Sequence, residues 1–421
     1  MKKNKIISII IISAITTILV LTSILYVVFF SSSTVTAQPR AVDTYATNES
    51  VANLSDLINE FSFKMYKQLI SDNTENIFFS PYSIFVALAM TYEGARNETA
   101  NEMHSVLGFP QNDTVTLCSF GRIYNLLNIN KEYTLNTANA LWIKKGYPFL
   151  EEYLKFIENY YMGKTTEVDF GNPEKSAKII NQWIEKNTGG KIKDLIAKED
   201  IDQYLTMILT NAIYFKGDWL NKFDKDLTTN KNFELPDGTN VSVPMMILYE
   251  TKLKFNYTET NELQILELPY KGNKLSMIII LPKENNVSIA EKILSRENLS
   301  KWIDSMNETN VEILLPKFKL ETEYTLKDYL ANMGMVNPFT LNADFSGMTG
   351  KKDLFIEKIK HKAFIEVNEE GAEAAAATSV HMALTAIPNY TVFNADHPFI
   401  FLILHKETGN ILFMGRLSNP K

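Results

Sequence analysis

The sequence predicts an α+β fold, and three observations predict it. Apolar residues recur at three- and four-residue steps up to about Asn187, the signature of amphipathic helices. Beyond that point strand-like runs take over, several of them apolar at every position. The two patterns are segregated along the chain instead of alternating, with no internal repeat, which argues against a parallel βαβ architecture. With 421 residues, 45% hydrophobic and 11% aromatic, the chain can bury one large core or two ordinary ones.

The N-terminus stands apart from the rest of the chain. Lys2, Lys3 and Lys5 precede an uncharged run from Ile6 to Phe30, long enough to span a bilayer. Val35-Thr36-Ala37 offers small residues for cleavage after Ala37, so residues 1–37 are expected to be a signal peptide or a signal anchor. Both keep the lysines inside and send the remainder out of the cytoplasm, secreted or anchored to the outer face of the membrane. Residues 38–50 are polar and are expected to form a linker, with the folded domain over 51–421. Ten Asn-X-Ser/Thr sequons, at Asn48, Asn53, Asn97, Asn112, Asn240, Asn256, Asn286, Asn298, Asn307 and Asn389, fit an exported glycoprotein. Cys118 is the only cysteine, so no internal disulfide can form.

The domain opens with a helix carrying Leu54, Leu57, Ile58, Phe61, Met65 and Leu69. A short strand follows at 76–80. Ser80-Pro81 then starts a second helix, the serine capping and the proline in the first turn. A helix over 97–107 ends at Gly108. Residues 134–143 read as a strand, weakest at Thr137 to Asn139. Helices are expected at 150–161 and 176–187. The centre turns to strand at 206–215, which is apolar on both faces. Runs at 263–268 and 275–281 are joined by a hairpin at 269–273. A strand at 311–315, a helix at 326–333 and a strand at 362–367 come next. The chain ends in strands 399–404 and 411–413, joined by a hairpin at 406–410.

Between the last of these elements lies the tract Glu369-Glu-Gly-Ala-Glu-Ala-Ala-Ala-Ala-Thr378. Taken locally it reads as an exposed helix or semi-rigid linker. It also suits a loop that enters a sheet, because an inserted strand needs small alternate side chains and no proline. Glu369-Glu370 reads as a solvated corner. Little in the chain points to catalytic chemistry. The five histidines, His104, His361, His381, His397 and His405, form no metal-binding pair. There is no Gly-X-Ser-X-Gly elbow, no phosphate loop and no dinucleotide fingerprint. Cys118 has no readable partner. The chain is therefore expected not to be an enzyme, to carry no catalytic residue, metal or cofactor, and to act as a monomer. Net charge is −7 without a concentrated basic stretch, which disfavours nucleic acid and heparin-like partners.

Six stretches carry a resemblance. Asn76-Ile-Phe-Phe-Ser-Pro-Tyr-Ser-Ile84, Thr91-Tyr-Glu-Gly-Ala-Arg-Asn-Glu-Thr99 and Asn211-Ala-Ile-Tyr-Phe-Lys-Gly-Asp-Trp219 come first. Pro316-Lys-Phe-Lys-Leu320, Ala343-Asp-Phe-Ser-Gly-Met348 and Asp396-His-Pro-Phe-Ile-Phe401 follow. In this order they resemble the serpin family from about Leu54 to the end. The resemblance implies three β-sheets, eight to nine helices and an exposed reactive-centre loop. It implies inhibition of a serine protease by suicide trapping, in which the cut loop inserts into the largest sheet as a new strand. The hinge of that loop would be Glu370, Gly371, Ala372, Glu373, Ala374, Ala375, Ala376, Ala377 and Thr378. The family's spacing puts the reactive bond at Thr385-Ala386, or at Leu384-Thr385 if the count slips by one. A β-branched small residue before the bond suits elastase-like or subtilisin-like targets, and Leu384 would suit a chymotrypsin-like one. Ser80, Ser83, Asn211 and His361 match the polar cluster under the sheet, and Trp219 matches a tryptophan near the loop entry. Gln111 to Asn130 is short and lacks a basic helix, so activation by a glycosaminoglycan is not expected. A non-inhibitory carrier, or an inhibitor of cysteine proteases, are the alternatives.

Overall fold

The computed structural model describes residues 40–71, 73–128, 132–249, 253–372 and 391–421. Helix α1 (Asn48–Ser71) buries the predicted stripe of Leu54, Ile58, Phe61, Met65 and Leu69. Strand β1 (Ile77–Phe79) runs straight into α2 (Pro81–Tyr92), where the Ser80 hydroxyl accepts from the Ser83 N–H at 3.2 Å. Every residue of α2 is buried, as expected of a helix in the middle of a core. There follow α3 (Asn97–Leu107), α4 (Thr114–Asn128), β2 (Tyr133–Lys144), α5 (Glu151–Tyr161), β3 (Lys164–Val168), α6 (Pro173–Asn187) and β4 (Met207–Asp218). The strand-rich part holds β5 (Thr229–Glu234), β6 (Asn240–Leu248), β7 (Phe255–Glu259), β8 (Leu263–Pro269) and β9 (Leu275–Pro282). It continues with α7 (Val287–Ile293), α8 (Arg296–Asp304), β10 (Asn307–Thr309), β11 (Val311–Pro316), β12 (Phe318–Thr325), α9 (Lys327–Asn332), α10 (Ser346–Thr349) and β13 (Lys358–Asn368). Last come β14 (Gly371–Ala372), β15 (Thr391–Asn394), β16 (Phe399–His405) and β17 (Ile411–Leu417). The described residues thus hold ten α-helices where eight or nine were expected, and the surplus is α10, a single turn.

Three sheets organise the fold. Six strands run in the order β12-β13-β14-β4-β2-β3, seven in the order β1-β17-β16-β9-β8-β7-β10, and four in the order β15-β11-β6-β5. The six-stranded sheet is covered on both faces. Leu209, Ile213, Phe215 and Ile365 point into the main core, while Ile208, Ala212, Tyr214 and Phe364 pack under Ala177, Ile180 and Ile184 of α6. That is why 206–215 shows no polar alternation in the sequence.

Two regions differ from the sequence reading. Of the expected linker 38–50, residues from Arg40 onward belong to the folded unit, and helix α1 has begun by Asn48, although most of these side chains are exposed. Ala41 is buried, and the Asn125 side chain brackets its N–H and C=O at 3.0 Å each. A Cβ on Gly121 would lie 2.1 Å from the Val42 carbonyl, so this crossing needs a glycine on α4. Helix α4 itself was not anticipated, because Gly121, Cys118, Ser119 and Thr116 are weak helix formers. It carries no basic face, Arg122 being its only Lys or Arg. Among the described residues no helix is long and apolar enough to cross a membrane, and the run Ile6–Phe30 lies outside them.

Candidate functional site

The site is a lane between two strands of the six-stranded sheet. β13 and β4 are parallel neighbours from Lys358 opposite Ile208 to Phe364 opposite Tyr214. Above that level they part, and β14 sits between them, antiparallel to both. Ala372 pairs with Val367 on one side and Gly217 on the other, and Gly371 pairs with Asn368 and Asp218. Glu369-Glu370 is therefore the two-residue loop of a tight hairpin whose second strand has already entered the sheet. Gly371 has φ +147°, and a Cβ there would lie 2.1 Å from the Gly217 carbonyl oxygen and 2.6 Å from Asp218 Cα. No side chain fits at this position. Of the expected hinge, Glu370, Gly371 and Ala372 are thus placed in the hairpin. Glu373 to Thr378 lie outside the described residues, as do Leu384, Thr385 and Ala386.

Charge pins the hairpin. Glu369 and Glu370 are not a solvated corner: both are buried. Lys317 reaches the Glu369 carboxylate at 2.9 and 3.0 Å, and the Thr228 hydroxyl donates to it at 2.9 Å. Glu370 is held by Lys222 at 2.5 Å and Lys225 at 2.8 Å. Burial pushes the Glu369 carboxyl up, but the Lys317 and Thr228 bonds outweigh it and keep the group below the usual carboxylate range. The hydrogen bond to Glu370 raises Lys222 in turn. The backbone is clamped as well, since the Glu369 carbonyl accepts from Phe223 N at 3.0 Å and the Glu370 carbonyl from Trp219 N at 2.8 Å. The Trp219 indole donates to Asn368 O at 2.9 Å and stacks on Tyr270 with centroids 4.6 Å apart. Trp219 therefore stands beside the β13–β14 hairpin.

Six residues lower, about 20 Å along the strands, the lane is shut by neutral polar groups. His361 on β13 is the register partner of Asn211 on β4, which is the partner of Asn139 on β2. Ser80 and Ser83 reach this row from α2. Ser80 N donates to His361 Nε2 at 3.1 Å, and the Ser80 hydroxyl donates to Leu412 O at 2.6 Å. The Ser83 hydroxyl donates to Asn139 Oδ1 at 3.1 Å, and Asn211 Nδ2 donates to both Ser83 Oγ and Asn139 Oδ1. Because Nε2 of His361 accepts from a backbone N–H, the proton is on Nδ1, which donates to Asn211 Oδ1. Burial drives the His361 pKa down to about 3, so the ring is neutral at any ordinary pH. The Tyr324 ring lies nearly parallel to it, 6.4 Å away.

The structure therefore brings together all four predicted cluster residues. It adds Asn139, whose signal was the polar break at Thr137 to Asn139 in an otherwise apolar strand. The lysine partners of the hairpin had no readable signal, because they come from two segments distant in sequence, the connection after β4 and the joint between β11 and β12.

Comparisons with known proteins identify the relatives of this chain. A family model described as Serpin (serine protease inhibitor) matches residues 56–420. An uncharacterized serpin-like protein of Thermococcus kodakarensis is 45% identical over 372 residues, covering 86% of this chain and 85% of its own. A leukocyte elastase inhibitor of Xenopus laevis is 43% identical over 382 residues, covering 87% and 100%. Among solved structures, Serpin48 of the insect Tenebrio molitor superimposes with a TM-score of 0.80 at 33% identity, covering 89% of this chain and 99% of its own. Human thyroxine-binding globulin superimposes with a TM-score of 0.80 at 31% identity, covering 88% and 100%.

Proposed function

We propose that this chain, which belongs to the serpin family, inhibits a serine endopeptidase by covalent trapping driven by insertion of its own loop. The observation that carries the reading is the hairpin from β13 through Glu369-Glu370 to β14. The costly step of strand addition, making the turn and the first pairs, is complete before any protease arrives. What remains is extension. Extension would also replace the parallel β13–β4 pairing with two antiparallel ones, which are more favourable per residue.

Carrying the present register forward explains the tract. Ala374 would stand opposite Ile365 and Phe215, Ala376 opposite Ala363 and Ile213, and Thr378 opposite His361 and Asn211. These partners face the main core, so only a small side chain fits, and a hydroxyl falls at the polar row. On the other face Ala375 would meet Phe364 and Tyr214, and Ala377 would meet Lys362 and Ala212. Phe364, Tyr214 and Ala212 lie beneath α6. Both faces are crowded, which accounts for four alanines in succession where alternate ones would suit a sheet open on one side.

In this mechanism the protease serine attacks the Thr385 carbonyl. An ester forms, the peptide bond breaks and the Ala386 nitrogen leaves as a free amine. The freed hinge then zips into the lane, carrying the acylated protease and distorting its site before water can release it. Thr385 points to an elastase-like or subtilisin-like target, and Leu384 would point to a chymotrypsin-like one. The similarity to thyroxine-binding globulin keeps a carrier function as the second reading, since fold alone does not choose. The hinge composition favours inhibition. The lysine-flanked run Ile6–Phe30 and the sequons support an exported chain, secreted or anchored.

The test mixes the full chain with pancreatic elastase, chymotrypsin and subtilisin. A denaturing gel and mass spectrometry of the released peptide follow. A stable high-mass band and a peptide starting at Ala386 are expected. Loop cleavage with no band, and no rise in the melting temperature of the cleaved chain, would overturn the reading.

A further inference from the structure

The far end of the loop is held by a different device. β15 is the first described strand after residue 390 and lies at the edge of the four-stranded sheet. Among the described residues its only strand neighbour there is β11, paired in parallel over four residues from Val311–Thr391 to Leu314–Asn394. Four parallel pairs at an edge are a weak hold. Two side-chain bridges add to it. Gln264 on β8 donates to Val392 O at 3.0 Å. A longer bridge runs from the end of β15 to the end of β9. In it, Asn394 Nδ2 donates to Asp396 Oδ2 at 2.6 Å. His397 Nδ1 lies 2.8 Å from Asp396 Oδ1, and His397 Nε2 lies 2.8 Å from Pro282 O.

The partners of His397 decide its charge. A backbone carbonyl can only accept, and so can a carboxylate. Both ring nitrogens face acceptors, so only the doubly protonated ring satisfies both contacts and the site favours the cation. A neutral ring would turn a lone pair toward an oxygen and lose one of the two bonds. His361 is the opposite case, with one nitrogen facing a backbone N–H. Burial pulls His397 down, but the Asp396 and Pro282 bonds and the charges of Asp396 and Glu234 outweigh it and raise its pKa. The surrounding charges are Glu234 from β5, Asp396 beside the ring, and Lys283 after β9, which pairs with Glu259 of β7 at 3.1 Å. Gln264, Val392 and Asn394 complete the rim.

We infer that His397 is a positioning residue, a cationic clasp that ties the C-terminal root of the loop to the rim of the seven-stranded sheet and loosens when the ring loses its proton. Its consequence for inhibition rests on the function proposed above: an uncut loop can enter the β13–β4 lane only if β15 leaves its edge. The clasp itself does not depend on that reading. Its sign follows from the raised pKa. The stabilisation is complete below the ordinary histidine value and is lost as pH rises through the elevated one.

The experiment measures amide hydrogen exchange over residues 391–397 in the full chain from about pH 6 to pH 9, corrected for intrinsic exchange. Wild type, His397→Arg and His397→Gln are compared, and the His397 ring is titrated by NMR in wild type. Protection of β15 in wild type should fall about tenfold as the ring titrates. His397→Arg should stay protected at every pH, and His397→Gln should be poorly protected and flat. The same pH dependence in His397→Gln as in wild type would overturn the inference. So would a ring already neutral at about pH 6, a result that needs no variant to fold. Because no protease is used, loss of the inhibitory reading would leave this outcome standing, and the reverse.

Discussion

The top and the middle of the β13–β4 lane are closed by opposite chemistry. At the top, a hairpin already in the sheet is pinned by Lys317, Lys222 and Lys225, whose side chains are more than a third exposed. In the middle, His361, Asn211, Asn139, Ser80 and Ser83 shut the lane with neutral hydrogen bonds, almost entirely out of water. The difference assigns separate tasks. Under the proposed mechanism, the top would set where insertion begins and in which register. The middle would set how long it waits, because a strand could not pass until the His361–Asn211 bond breaks. Ion pairs near solvent can be remade around a moving chain at small net cost. A buried neutral network resists opening, since each orphaned group loses its full solvation.

The largest effect should come from removing the start. In Gly371→Val the side chain would meet the Gly217 carbonyl, and a β-branched residue would be forced to positive φ. Overpacking and backbone strain together are worth about 3 kcal/mol or more. The hairpin should leave the sheet, and a protease should cut the loop as a substrate. Covalent complex per cleavage event should fall at least about tenfold on a gel. An unchanged yield would mean that insertion does not start from β14.

The middle should respond next, and differently. His361→Ala leaves Ser80 N–H and Asn211 Oδ1 buried without their partner, at a cost of about 1–3 kcal/mol for each group. Opening without cleavage should become easier, and polymerisation on mild heating should speed up about tenfold or more. Unchanged kinetics would remove His361 from the gate. Acid gives the same test without a mutation. The folded pKa of His361, about 3, lies below the unfolded value, so its contribution is complete above about pH 6.5 and is lost as pH falls toward the folded value. Between those limits stability should drop by up to about 1.4 kcal/mol per pH unit, and that component should vanish in His361→Ala.

The contrast also explains what could be read from the sequence. Strand β4 was legible because it is apolar on both faces, whereas β13 alternates with lysines and was legible only as a strand over 362–367. Ser80, Ser83 and Asn211 were legible through the motifs around them, and His361 through the family resemblance alone. Asn139 left only a weak trace, a polar interruption in a strand. Glu369 and Glu370 were misread, because two adjacent glutamates look solvated until Lys317, Lys222 and Lys225 arrive from positions 52 to 148 residues away. Helix α4 and the docking of Ala41 were missed for a related reason. Gly121 lowers helix propensity locally and makes sense only once the Val42 carbonyl lies on it. Neutral packing writes itself into local periodicity, whereas long-range ion pairs do not.

The smallest effect should come from the lysines. Lys317→Ala strands the buried Glu369 carboxylate with only Thr228 as its side-chain donor. Exposure of the lysine, and the Phe223 bond that holds the Glu369 backbone, limit the loss to about 1 kcal/mol. Lys222→Ala should cost less still, because Lys225 remains on Glu370. Salt sharpens the comparison. Raising ionic strength from about 0.05 M to about 0.5 M should lower the melting temperature contribution of the hairpin in wild type and hardly at all in a Lys317→Ala, Lys222→Ala, Lys225→Ala triple variant. The polymerisation advantage of His361→Ala should be the same at both salt concentrations, since nothing in that cluster is charged. If salt instead erased the His361→Ala effect, the top and the middle would be one coupled electrostatic unit, and the separation between a register-setting top and a time-setting middle would be wrong.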